Sequence, residues 1–313
     1  MKSKYEKNPP ALIECGDVTI TGLNTSGVVG NITKEHLASE FVLDFSVVQA
    51  FTVAPTTANI EELFKRIYLE LSGKEICAAS SRAVSLLNMA YENAIAYNVT
   101  SAGGFVTFSG TIDLHVENDG MFEDFLTLDN KPATMSVNLT TGDNTVFTNG
   151  TLTVGSVPTT TVKLRAKDYG VNSFYADNGK FFHSVTEKFS DLTTATSGTR
   201  TIQLNGNCLT RAMLFLAGSV VGSVYTPNDS LIGNIRYTLN GVTTLTTFAA
   251  LKQMLQRGTS INRAGVSGIV FGDTLKEMPV TDAESITISY DVVNPLGLSL
   301  RFSVVHDATR PTV

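Results

Sequence analysis

Two octapeptides, "RIYLELSG" at 66–73 and "NIRYTLNG" at 234–241, read alike. Ile67, Leu71 and Gly73 of the first fall on Ile235, Leu239 and Gly241 of the second, a shift of 235 − 67 = 168 residues. A repeat of this period constrains the fold more than any composition, because each copy must close around its own apolar face. The same shift carries Ala83, Leu86 and Leu87 of "SSRAVSLLNMAYENA" (80–94) onto Leu251, Met254 and Leu255 of "TTFAALKQMLQRG" (246–258). Upstream, "VLDFSVVQAFTV" (42–53) lands on "TRAMLFLAGSVV" (210–221), apolar at Val47/Phe215 and Val48/Leu216. The repeated unit reads as strand, loop, strand, glycine turn, helix and further strands. A chain of 313 residues, 42% hydrophobic and 17% charged, can bury a separate core in each copy.

Most of the patterning is that of strands. In "FVTFSGTIDLHVE", Val106, Phe108, Ile112, Leu114 and Val116 share one face, and the residues between them are largely polar. "SITISYDV" repeats this with Ile286, Ile288, Tyr290 and Val292, and "LSLRFSVV" with Leu298, Leu300, Phe302 and Val304. Between them "NPLG" carries the residues a type I turn prefers, so the pair is predicted to form an antiparallel hairpin. Helices are expected only at 80–94, where Ser80 or Ser81 can cap a stripe of Ala83, Leu86, Leu87, Ala90 and Tyr91, and at 246–258, where Phe248, Leu251 and Leu255 form the stripe and Gly258 ends it. Short strands punctuated by Asn, Asp and Gly turns predict a sandwich or barrel.

Little in the sequence carries chemistry. His36, His115, His183 and His306 are isolated from one another, without the HxH pair of a cupin metal site. Gly265-Val266-Ser267-Gly268 falls one residue short of GxSxG and sits in a β/loop context. Cys15, Cys77 and Cys208 have no metal-type spacing and read as small apolar fillers. Glu117, Asp119, Glu123 and Asp124 crowd one turn, but the spacing is not that of an EF-hand, so structural calcium has no motif behind it. Six Asn-x-Ser/Thr triplets, at Asn24, Asn31, Asn98, Asn138, Asn149 and Asn228, reflect a β-protein rich in Thr and Asn. No catalytic, cofactor or metal residue is assigned, and the chain is not expected to be an enzyme. A net charge of −6 argues against a general nucleic-acid grip. The opening "MKSKYEKNPP" lacks the apolar run of a secretory signal, and "AMLFLAGSVVGSV" (212–224) is too short to cross a bilayer. Lys163, Arg165 and Lys167 alternate on one strand, a wet face of a kind that can also meet anionic lipid.

A duplicated all-β chain with a helix after a glycine turn in each copy resembles the double jelly-roll major capsid proteins of tailless, lipid-containing icosahedral bacteriophages and their relatives. The "RIYLELSG…SRAVSLLNMAYENA" and "NIRYTLNG…FAALKQMLQRG" pairs and the closing "ESITISYDVVNPLGLSLRFSVVHD" carry the resemblance over residues 36–313. It implies an all-β fold of two tandem eight-stranded jelly-roll barrels, each with a short flanking helix. The corresponding division is an amino-terminal arm at 1–35, a first jelly roll at 36–168, a connector at 169–197 with room for a strand of its own, and a second jelly roll at 198–313. It further implies homotrimeric, pseudo-hexagonal capsomers tiling an icosahedral virion shell over an internal membrane. Lys2, Lys4 and Lys7 would face that membrane, and 118–160 would form an exterior tower. Partners would be further copies of the chain, penton and membrane proteins of the virion and the lipid, with no sequence-specific nucleic acid. The alternative is a tandem jelly-roll receptor- or glycan-binding module, which the absence of tryptophan disfavours.

Overall fold

The computed structural model describes residues 11–32, 37–71, 74–91, 96–115, 126–127, 135–142, 146–148, 150–168, 181–192, 197–221, 224–271, 278–280, 285–294 and 296–311. The chain divides into two units, the first ending at Ser184 and the second running over Val185–Pro311 with the short stretch 89–93. In chain order the first unit holds β1 (Ala11–Thr21), β2 (Ser26–Ile32), β3 (Leu37–Val53), β4 (Thr57–Ala58), β5 (Phe64–Leu71), β6 (Lys74–Ala79), helix α1 (Ser81–Ala90), β7 (Tyr97–Ala102), β8 (Phe105–His115), β9 (Leu126–Thr127), β10 (Met135–Thr141), β11 (Phe147–Thr148), β12 (Thr151–Leu152) and β13 (Thr159–Asp168). β14 (Phe181–Leu192) contributes its first four residues to this unit and the rest to the second. There follow β15 (Ser197–Leu204), β16 (Cys208–Val221), β17 (Val224–Pro227), β18 (Ile232–Leu239), β19 (Val242–Thr247), helix α2 (Phe248–Gly258), β20 (Val266–Val270), β21 (Met278–Val280), β22 (Ile286–Val293) and β23 (Leu300–Pro311).

Both units are wound in one way. In the first, one sheet runs β1-β13-β3-β8-β7 and the other β6-β5-β10-β2. In the second, β23 lies between β14 and β16 with β20 beyond β16, and the other sheet runs β15-β22-β18-β19. Eight strands of the first unit thus have counterparts in the second in the same order, four to a sheet, with β7 added beyond β8 in the first: two jelly rolls in tandem. The 168-residue shift is kept from β5 to β18 (232 − 64) and from β6 to β19 (242 − 74). It then shrinks. Ile67 pairs with Leu139 where Ile235 pairs with Tyr290, so the shift there is 290 − 139 = 151. Val47 pairs with Thr160 where Phe215 pairs with Val304, giving 304 − 160 = 144.

The alternation read from sequence lines the cores. In the first unit, Phe41, Leu43, Phe45 and Val47 of β3 and Val106, Phe108, Ile112 and Leu114 of β8 are buried. They face Ile67, Leu69, Val137 and Leu139 from the opposite sheet, which are also buried. In the second unit, Ile286, Ile288, Tyr290 and Val292 line one sheet, and Met213, Phe215, Phe302 and Val304 the other. Residues 212–219 of β16 are buried on both faces, which accounts for the largely apolar run there. No helix among the described residues is long and apolar enough to cross a membrane.

Both helices are capped as expected. Ser80 Oγ accepts the Ala83 N–H (3.2 Å), and Thr247 Oγ1 accepts the Ala250 N–H (3.1 Å). At the far end of α2 the Thr259 N–H closes on the Leu255 carbonyl (2.9 Å), so Gly258 is the last helical residue. Leu251 and Leu255 are buried like Ala83 and Leu87, but Met254 is 51% exposed where Leu86 is 1%. The repeat is therefore looser in burial than in sequence at that position.

Three expectations need correction. β22 and β23 do not form a hairpin: β22 pairs with β15 and β18, whereas β23 pairs with β16. The turn between them does close, with the Gly297 N–H on the Asn294 carbonyl (3.0 Å) and Gly297 at φ 59°. It carries the chain across from one sheet to the facing one, where both strands turn the same apolar face to one core. Second, 1–35 contains β1 and β2, so the first roll starts ahead of the boundary read from sequence, while β14 is the strand that the connector at 169–197 had room for. β1 and β2 each stand at a sheet edge, and only Ile20 of β1 is buried, whereas β14 lies between β23 and β6. Third, 118–160 holds β10, whose Val137 and Leu139 are core residues, so the tower reading fails for that part. Lys2, Lys4, Lys7 and the acidic turn at 117–124 lie outside the described residues.

Gly110 interrupts the inward row of β8 for a steric reason. A Cβ there would stand 2.5 Å from the Ala96 carbonyl oxygen and 3.0 Å from the Phe45 ring. Gly110→Val is expected to destabilise the first unit by about 1–3 kcal/mol or more, read by chemical denaturation. An unchanged midpoint would show that the strand can move away.

Candidate functional surfaces

Among the described residues, no three His, Cys, Asp or Glu side chains gather as a metal site. His183 and His306 are buried, His115 lies at the end of β8, and His36 is outside the described residues. His306 Nε2 shares a 3.0 Å hydrogen bond with Thr210 Oγ1, while its Nδ1 has no partner. Burial, reinforced by the positive charge of Arg310, lowers its pKa to about 3, so the ring is neutral in the fold. Ser267 is fully buried on β20 and its hydroxyl has no hydrogen-bond partner. An activated serine needs a base at that oxygen, so the Gly265–Gly268 run is no nucleophile elbow. Cys77 and Cys208 are buried and Cys15 half-buried, and burial raises the Cys208 pKa.

The outer faces are polar and internally paired. On β13, Lys163 lies 3.6 Å from Glu14, and Arg165 pairs with Asp44, so both cations already have carboxylate neighbours. That neutralisation weakens the lipid-facing reading of this strand. On the second unit, Asp291 of β22 accepts hydrogen bonds from both terminal nitrogens of Arg236 (2.9 and 3.1 Å), from Asn234 Nδ2 (2.9 Å) and from Thr199 Oγ1 (2.8 Å). These bonds, Arg236 first, hold its carboxyl well below the usual carboxylate range. The network ties β15, β18 and β22 together across the solvent side. A shallow open dish lined by Arg66, Tyr68, Glu75, Asn138 and Thr140 occupies the matching face of the first unit. Tyr68 there donates to Glu70 (2.6 Å) and lies under the Arg66 guanidinium, which leaves its ring partly occupied.

Several exposed apolar side chains of each roll lie close together. In the first unit, Leu23, Val53, Phe105, Leu152, Val154 and Val157 are all at least 40% exposed. Backbone hydrogen bonds from Gly22 to Pro158, Phe51 to Gly104 and Thr153 to Ala50 draw their segments together. In the second, Val221, Val224, Val293 and Leu296 are exposed, near where Val221 pairs with Val224 and the Val220 N–H bonds to Ser299. Exposed apolar groups clustered this way mark interaction surfaces more often than singly scattered ones do. Sequence reading did not find them, because exposure at a strand end looks the same as burial in a one-dimensional hydropathy pattern.

No family model matches the chain, and no curated protein matches it. Solved structures do. The STIV MCP superposes with a TM-score of 0.65 at 12% identity, over 95% of this chain and 97% of the other. The PBCV-1 virus capsid gives a TM-score of 0.62 at 13% identity, over 96% and 93%. The major capsid protein P2 from bacteriophage PM2 gives 0.57 at 9% identity, over 97% and 98%. With two jelly rolls of one topology and near end-to-end superposition, the chain has the double jelly-roll fold seen in these viral capsid proteins.

Proposed function

We propose that this chain is the major capsid protein of a virus: a structural subunit, without enzymatic activity, that forms pseudo-hexagonal homotrimers tiling an icosahedral shell over an internal membrane. One observation supports the reading above all: the fold likeness covers both chains almost completely, both jelly rolls included. Neither unit is left over for a separate catalytic or binding domain. Physically, a trimer of two-barrel chains offers six similar sides, so one gene supplies a tile with six neighbours. Obligate interfaces of this kind commonly exceed ~2,000 Å².

The purified chain is expected to run as a trimer of about 100 kDa, three times its 33.5 kDa mass, by light scattering. Electron microscopy of assembled particles would then read both the hexagonal tiling and a bilayer beneath it. A monomer at micromolar concentration overturns the proposal.

A further inference from the structure

The tandem repeat leaves one sheet edge covered in the first unit and bare in the second. In the first unit, Ile76, Cys77, Ala78 and Ala79 of β6 are each at most 5% exposed. β6 has β5 on one side and β14 on the other, and Phe181–Ser184 of β14 belong to this unit. The strand in the same place in the second unit is β19, and among the described residues its one neighbour is β18. Val242, Thr243, Thr244, Leu245 and Thr247 are exposed, with Val242 at 68% and Leu245 at 63%.

The strand that would match β14 is β1. Each opens its roll and pairs with that roll's last long strand, β13 for β1 and β23 for β14. β1 also has one hydrogen-bonded neighbour among the described residues, and only Ile20 of its eleven residues is buried. A receiving edge and the strand that would cover it are therefore both bare, at opposite ends of the repeat. We propose that β19 of one copy pairs with β1 of a second copy, repeating between chains the β6–β14 arrangement found within one. The inference rests on the homo-oligomeric part of the capsid reading and assigns it a contact surface.

The chemistry of β19 suits this role. "VTTLTT" has no charge and no proline, and β-branched residues fill five of its six positions. Exposed edges that must stay single are commonly guarded by lysine, proline or a bulge. β19 has none of the three. Its register also shows which groups are free. The turn before it is Asn240-Gly241, with both residues at positive φ (51° and 73°), the two-residue hairpin that closes on a hydrogen-bonded pair. That pair is Leu239/Val242, so alternation makes Thr238/Thr243 and Arg236/Leu245 the non-bonded pairs. The 2.8 Å approach of the Thr238 and Thr243 hydroxyls agrees with this. The backbone N–H and C=O groups of Thr243 and Leu245 consequently point away from β18, toward an incoming strand. Pairing β1 to β19 is a heterologous contact, which builds a closed ring when its rotation permits.

The test uses proline at the outward positions. Leu245→Pro removes an outer donor without touching the bonds to β18, as edge strands tolerate. The variant is expected to fall from oligomer to single-chain mass in light scattering at a concentration where the native protein is assembled, with its circular dichroism retained. A folded, fully assembled Leu245→Pro variant overturns the pairing while leaving the capsid reading intact; a native protein that is monomeric sinks both. As a second measurement that does not disturb folding, a benzophenone amino acid at position 245 is expected to cross-link to a peptide within 11–21 of another copy. Cross-links that map to any other strand overturn the proposal.

Discussion

Replacing Phe302 by alanine is expected to cost the second unit about 3–5 kcal/mol, the largest single-residue effect in that core. Phe302 is fully buried on β23, with its ring centroid 4.0 Å from that of Tyr290 and 6.2 Å from that of Phe215. The first partner comes from β22 in the facing sheet and the second from β16 alongside, so the ring joins both walls of the roll. Truncation would empty the space between two other large side chains that are themselves held in place by strands. Neighbours so placed cannot collapse far into the void. Phe189 supplies the control: it lies 49% exposed on β14, and Phe189→Ala should cost under 1 kcal/mol. Urea unfolding of the two variants side by side decides the matter. Equal midpoints would mean that the Phe302 site repacks and that the core is not set by this cluster.

The first half of each repeat was legible because nothing has been inserted or lost there. β5 and β18, each of eight residues, keep the same shift as the glycine turn and the helix that follow. Beyond the helix the shift drops to 151 and then 144, so a fixed offset loses the later strands although their topology is the same. Burial was legible where strands alternate strictly, as in Ile286, Ile288, Tyr290 and Val292. Pairing was not. A period of two followed by a good turn is the same signal whether the chain folds back in one sheet or crosses to the facing one. "SITISYDVVNPLGLSLRFSVV" could not say which, and the crossing is what makes a jelly roll. β1 escaped notice for a different reason. Its Glu14–Gly16 bulge breaks the alternation, and an edge strand needs only one buried side chain. The candidate surfaces were the least legible part, since the bareness of β19 is visible only beside its covered counterpart β6.

Acid is expected to weaken the second unit from about pH 6.5 downward, because of His306. The imidazole is 1% exposed, accepts or donates one hydrogen bond to Thr210, and has no partner for Nδ1. Its neighbours set the sign. Burial acts first, Arg310 and Lys188 add repulsion toward a protonated ring, and Asp307 opposes them, leaving the pKa near 3. The other groups at hand, Thr210 and the Cys208 thiol beside it, bring no negative charge at neutral or acid pH. In the unfolded chain the ring regains its ordinary value of 6.5. Below pH 6.5 the unfolded state therefore takes up a proton that the folded state refuses until about pH 3. Stability falls across that window by up to about 1.4 kcal/mol per pH unit, on the order of several kcal/mol in all. Asp291 acts in a separate range: its depressed pKa contributes stability above the ordinary carboxylate value of 3.8, and this is lost only as pH falls further. The interval from pH 6.5 to 4.5 thus separates the histidine from Asp291. His306→Gln, which keeps a polar group facing Thr210 but cannot take up the proton, should flatten the fall in unfolding free energy over that interval. Parallel slopes for the native protein and the variant would show that His306 takes up its proton without unfolding the roll.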